Sequence, residues 1–124
     1  MRWARNFALL NSALMDAAIL CWNTKYYYYN ARPCQLNPKI KTLTGVPNFP
    51  AYTSGHSSFK GAAATILGHI IPQKATEYKA MAQEASNSRL YGGIHYRSDC
   101  QSGLKTGEKV GNYAIARAKT DGAD

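Results

Sequence analysis

The sequence predicts an all-α fold, a bundle of about four helices in one domain spanning 1–124. Three observations predict it. Apolar residues recur at helical spacing from position 3 to position 29. A run of small and apolar residues follows a Ser-Gly turn at 54–55 that reads as a helix start. Prolines and a Gly-Gly pair punctuate the stretches between the periodic segments.

The first helix is expected from about Trp3 to about Tyr29, with Phe7, Leu10, Leu14, Ala17, Ala18 and Cys21 on its inward face. Pro33 disfavours helical geometry at Arg32 and ends the helix there. Pro38, Pro47 and Pro50 make 34–50 a loop. A second helix is capped by Thr53 or Ser54, carries Gly55 and His56 in its first turn, and stops at Pro72. The third spans about Gln73 to Tyr91, where Gly92-Gly93 breaks it. The fourth runs from about Ser98 to Lys119, with Ser98-x-x-Gln101 as a capping box. Its Gly107, Gly111, Ala114 and Ala118 predict close packing along one face, and Asp121–Asp124 is expected to fray.

Three separated blocks concentrate residues suited to gripping one phosphate-like oxyanion. In the first, Lys25 and Arg32 are seven apart, about two helical turns, so both are expected on one face. Arg offers a planar fork of donors and Lys a compact charge. In the second, Ser54-Gly55-His56 opens a helix, where free N–H groups and the positive dipole end favour an anion. Gly55 allows close backbone approach, and His56 is placed to pass a proton to a leaving oxygen. In the third, Arg89 adds a guanidinium, and His95 and Asp99 are four apart. A carboxylate on one imidazole nitrogen fixes the tautomer and leaves a lone pair on the other.

The blocks read KYYYYNARP, TSGH and SRLYGGIHYRSD. In order and internal spacing they resemble the signature of the type-2 phosphatidic acid phosphatase and vanadium-dependent haloperoxidase superfamily: K-x6-R-P, P-S-G-H, S-R-x5-H-x3-D. Thr53 stands where that pattern has proline, which removes rigidity from the turn but leaves a residue able to cap. The resemblance covers roughly residues 4 to 119. It implies that Lys25, Arg32 and Arg89 bind equatorial oxygens, with Ser54 and the Gly55 N–H adding hydrogen bonds. His56 would be the acid–base group, His95 the axial group and Asp99 its orienting partner. In a haloperoxidase His95 would be the axial ligand of vanadate, and the substrates would be halide and hydrogen peroxide. In a phosphatase His95 would attack a phosphoester, and no cofactor would be needed. Trp22 before Lys25, and Phe49 before the Ser-Gly-His turn, resemble the bacterial haloperoxidase branch and imply a halide pocket beside the oxyanion.

Family domains are longer, with helices upstream of the first block. The resemblance therefore implies the C-terminal catalytic half of a larger bundle, or a truncated gene product. Such a piece is expected to expose apolar surface and self-associate.

Composition bounds the alternatives. The net charge is +8, and part of that excess is Lys25, Arg32 and Arg89, which would attract anions. A nucleic-acid module needs a basic patch interleaved with stacking aromatics. Tyr26–Tyr29 superficially offers one, but four consecutive helical residues point in all directions, so helix packing plus pocket rim is the preferred reading and no nucleic-acid partner is expected. A non-catalytic basic module stays as the alternative, and its salt-sensitive affinity would survive loss of His95. Taken singly, Lys25 and Arg32 are also a solvated face, His56 a first-turn residue and Asp99 a helix-start carboxylate; their joint order argues against that. Cys21, Cys34 and Cys100 match no zinc spacing and read as buried or partly buried thiols. His69 reads as a packing or surface residue, and Ser54 lies in no G-x-S-x-G elbow. No stretch has the unbroken apolar length of a membrane span. The expectation is a soluble protein, periplasmic or secreted if a signal lies upstream.

Overall fold

Small side chains, rather than large apolar ones, set how this molecule packs. In the computed structural model, which describes residues 2–122, helix α1 (Arg2–Tyr28) buries Ala13, Ala17, Cys21 and Lys25, each four residues after the last. That spacing keeps one stripe facing inward for over three turns. It begins in the apolar core and ends on an ammonium group, so the register that packs α1 also delivers Lys25 to the interior.

Helix α2 (Pro33–Leu36) is a single turn inside the segment expected to be all loop. Helix α3 (Gly55–Ile70) is the hub and packs on α1, α4 (Ala75–Tyr91) and α5 (Arg97–Ala118). A 3₁₀ turn over Pro72–Lys74 joins α3 to α4. The core lies among α1, α3 and α5, where Ala13, Ile66 and Ala114 form one cluster and Ala17, Ala62 and Val110 another. Among the described residues no helix is long and apolar enough to cross a membrane.

The α3–α5 contact follows from glycine. A Cβ at Gly61 would sit 2.6 Å from the Leu104 carbonyl oxygen, one at Gly103 2.8 Å from the Ser54 carbonyl oxygen, and one at Gly107 would collide with the Ser58 carbonyl. The helices therefore touch backbone to backbone, as the small-residue face of α5 led one to expect. Their N-termini are held side by side, where the Ser54 N–H donates to the Asp99 carbonyl oxygen at 3.1 Å.

Several expectations are corrected. Phe7 is 70% exposed, because the inward stripe of α1 runs through Leu9, Ala13, Ala17 and Cys21 and Phe7 lies off it. Trp3, Met15 and Ile19 also lie on the exposed surface of α1, so apolar surface is displayed as expected. The first helix ends at Tyr28, within a residue of the expected Tyr29, but it does not run on to Arg32, since Tyr29 lies in the left-handed region at φ 50°. Tyr26–Tyr29 are all exposed and contact Trp22, Tyr52 and one another instead of packing between helices. The last helix begins at Arg97, within one residue of the expected start, but Tyr96 rather than Ser98 is its N-cap. The acceptor at its start is Asp99, whose Oδ2 takes the Tyr96 N–H at 3.0 Å. Asp121, expected to fray, pairs with Arg5 at 3.1 Å, while Ala123 and Asp124 lie outside the described residues.

Candidate oxyanion site

Lys25 reaches the site at the end of the α1 stripe. Its Nζ donates to the carbonyl oxygens of Pro50 (2.8 Å) and Ala51 (3.0 Å) and lies 5.2 Å from the centre of the Phe49 ring. Burial, with Arg32 adding to it against Cys21 and Asp99, lowers its pKa to about 8. Arg32 arrives by a different route than expected. It stands in extended geometry just before α2, where the Gln35 side chain accepts its N–H, so Lys25 and Arg32 share no helix face. The loop 47–50 brings them together. The Phe49 carbonyl accepts from Nε (3.2 Å) and Nη2 (3.1 Å) of Arg32, and the same Phe49 ring lies 5.2 Å from the guanidinium.

Arg32 Nη1 donates to the Ile94 carbonyl oxygen (2.8 Å) and lies 3.0 Å from His95 Nε2. A guanidinium has no acceptor, so Nε2 carries the lone pair. The other ring nitrogen, Nδ1, is 3.0 Å from Asp99 Oδ2 and is therefore the protonated one. His95 is thus a neutral imidazole held from both sides. Burial keeps its pKa below the ordinary histidine value, with Asp99 opposing and Arg32 and Lys25 assisting. Lys25, Arg32 and Asp99 are each 1% exposed, and among the described residues neither cation makes an ion pair. Two buried cations beside a neutral base make an electropositive floor that an anion would neutralise.

The second block forms the wall. Ser54, not Thr53, is the N-cap of α3, and its Oγ accepts from the Ser57 N–H at 3.4 Å. Ser54 is wholly buried in that capping role and does not line the cavity. Gly55 and His56 do line it, and their N–H groups precede the first helical bond of α3, made by Ser58 to Ser54. His56 is exposed at the cavity mouth, where burial, then Arg89, then Lys60 lower its pKa. Arg89, at the end of α4, lines the same cavity and donates from Nε to the Ser88 hydroxyl at 3.0 Å.

One cavity of about 500 Å³ therefore gathers Lys25, Arg32, Gly55, His56, Arg89 and His95, with Asp99 directly behind His95. Trp22 and Phe49 also line it, with their rings edge to face at 4.8 Å. The sequence reading missed Cys21, Phe59 and Lys60 on the wall. Helical spacing was the available signal, since Cys21 is one turn before Lys25 and Lys60 one turn after His56. Thr44, Gly45 and Pro47 also line it, and a loop's path leaves no such periodic trace.

A family model described as the PAP2 superfamily matches residues 6–119. A crystal structure described as the first bacterial vanadium-dependent iodoperoxidase is similar at TM-score 0.80 and 32% identity, over 90% of this chain and 32% of that one. A transmembrane PAP2-type phosphatidylglycerolphosphate phosphatase from Bacillus subtilis is similar in fold at TM-score 0.74 and 18% identity, over 94% of this chain and 60% of that one. No curated protein matches. The chain thus spans about a third of the iodoperoxidase and three fifths of the phosphatase.

Proposed function

The chain belongs to the PAP2 superfamily, and on that premise we propose that it acts as a vanadate-dependent haloperoxidase-like enzyme, oxidising halide with hydrogen peroxide in this cavity. One observation carries the reading: two buried cations, with no ion pair among the described residues, stand beside a neutral imidazole whose tautomer Asp99 fixes. The likeness to a vanadium-dependent iodoperoxidase at 32% identity supports this choice of chemistry.

The donor set fits vanadate. Lys25, Arg32 and Arg89 supply cationic donors, Gly55 a free N–H at a helix start, and His95 a nitrogen lone pair. Vanadate bound there supplies a Lewis acid that activates peroxide toward halide. The residues do the rest. His95 Nε2 would hold the vanadate, and Asp99 keeps that lone pair directed. Arg32, which donates to Nε2, would give up that hydrogen bond and turn its Nη1 donor to an oxygen of the oxyanion. His56 would exchange protons with the peroxide at the mouth, where its lowered pKa favours the neutral base. Trp22 and Phe49 give an apolar wall beside fixed positive charge, an environment suited to a weakly hydrated halide. Ser54 serves by capping α3 and so fixing Gly55.

The His95–Asp99 pair equally favours a second reading, an acid phosphatase or phosphoesterase without a cofactor. There Nε2 attacks phosphorus, the ester oxygen leaves with a proton from His56, and water releases the phosphohistidine. The non-catalytic basic module is the distant alternative.

The test is oxidation of iodide and bromide by hydrogen peroxide, read with a phenolic dye, with and without orthovanadate. His95→Ala serves as control and phosphomonoester hydrolysis runs in parallel. Vanadate-dependent turnover lost in the variant is expected. Brisk ester hydrolysis without peroxide-dependent halogenation would transfer the assignment to the phosphatase. Salt-sensitive nucleic-acid binding retained by His95→Ala, without turnover, would favour the module.

A further inference from the structure

The cavity's cations fall into two tiers. Lys25 and Arg32 are buried at the floor, whereas Lys60 and Arg89 flank His56 nearer the mouth. Among the described residues no aspartate or glutamate lines the cavity. Lys60 belongs to none of the three sequence blocks. It lies one turn after His56 on α3, and five residues after Gly55 place it about 7.5 Å further along the helix axis. The cavity, at about 500 Å³, falls in the size range of pockets that hold an organic molecule and far exceeds the needs of an isolated oxyanion. Trp22, Phe49 and Phe59 give it aromatic walls.

We infer that Lys60 is a substrate-binding residue: it takes an anionic group, a carboxylate or sulfonate, carried by an aromatic organic substrate whose ring lies on those walls. The inference rests on the oxyanion site proposed above, since the floor must hold the oxyanion while Lys60 holds the second charge. The separation along α3 suits a para-substituted ring. For halide oxidation the acceptor is then an aromatic acid; for phosphoryl transfer the leaving group bears the second charge. Both His56 and Lys60 face that substrate, and Lys60 also helps hold His56 in its neutral form.

The experiment is calorimetric binding of phenylphosphonate and 4-carboxyphenylphosphonate, neither of which can be hydrolysed or oxidised at the site. Wild type should favour the carboxylated ligand by about fivefold, the scale of one accessible ion pair. Lys60→Met should lose the preference and Lys60→Arg should keep it. Lys105→Met removes the same charge from α5 outside the cavity and should keep it too. Equal wild-type affinities would overturn the inference, as would a preference that survives in Lys60→Met or vanishes equally in Lys105→Met. If neither phosphonate binds wild type, the oxyanion reading falls and this inference falls with it, so the two failures are told apart.

Discussion

Floor and mouth of the cavity hold the same kinds of group, cations and a histidine, in opposite settings. At the floor Lys25, Arg32 and His95 are buried and bonded to backbone carbonyls, to Asp99 and to one another. At the mouth His56 and Lys60 are exposed, and Arg89 bonds its own neighbour Ser88. The difference separates two tasks. Donors fixed before a ligand arrives need no reorganisation when charge develops, and that is what a floor can offer. Groups in contact with water can exchange protons and discriminate among substrates without the fold depending on them. Floor substitutions should therefore disturb stability and activity together, and mouth substitutions activity alone.

The sharpest break is His95→Ala. It removes the nitrogen on which either chemistry depends, and vanadate-dependent turnover should fall to background, a loss of about 10⁴-fold or more by analogy with deleted nucleophiles. Vanadate affinity, measured by calorimetry, should fall with it. Retained turnover would mean that the floor is not where the reaction occurs.

His56→Ala tests the mouth. Loss of an acid–base group should lower turnover about 10²- to 10⁴-fold. Because the side chain is exposed, unfolding free energy should stay within about 0.5 kcal/mol of wild type. A large drop in melting temperature would erase the proposed contrast between the two regions.

Asp99→Ala is the matching floor experiment. The Oδ2 atom accepts from both His95 Nδ1 and the Tyr96 N–H, so its removal leaves two donors without their partner. Denaturant titration should show a loss of about 1–3 kcal/mol. Turnover should fall about 10- to 100-fold, the scale for partners that orient a ligating histidine. Asp99→Asn keeps an oxygen in place and should recover most of the stability but not the activity. If it recovered both, the carboxylate's charge would be irrelevant and Asp99 would be a cap alone.

How much of this was legible in the sequence depended on whether a residue's position follows from local chemistry. Ser54 as cap, Gly107 and Gly111 at a close contact, and His95 four residues before Asp99 are short-range facts, and the structure sets each where spacing put it. Arg32 was misplaced because Pro33 marks a helix boundary without saying which side of it the helix stops on. Tyr29 at positive φ ends α1 earlier, and α2 starts after Arg32. Phe7 was misplaced because helical periodicity gives a stripe but not its phase. The phase is set by partners far away in sequence, Ile66 on α3 and Ala114 on α5, which take Leu9, Leu10 and Ala13 rather than Phe7. Lys60 was missed because one lysine outside the three blocks looks like another until α3 is seen to place it at the cavity.

The gentlest test uses pH to weaken the floor without mutation. Lys25 has a pKa of about 8 in the folded chain against 10.5 as the ordinary value. Between those limits the unfolded chain binds more protons, so stability should rise with pH across the window. Anion affinity should move the other way, because the floor loses a charge as pH passes 8. Sulfate is a suitable probe, being fully ionised throughout. Its affinity should fall about tenfold between pH 7 and pH 9, the limit for one linked proton of that pKa. Both trends should vanish in Lys25→Met. Stability that fell over the same window, with sulfate binding unchanged, would mean that the buried ammonium is held by its carbonyls as a structural group and contributes nothing to anion capture.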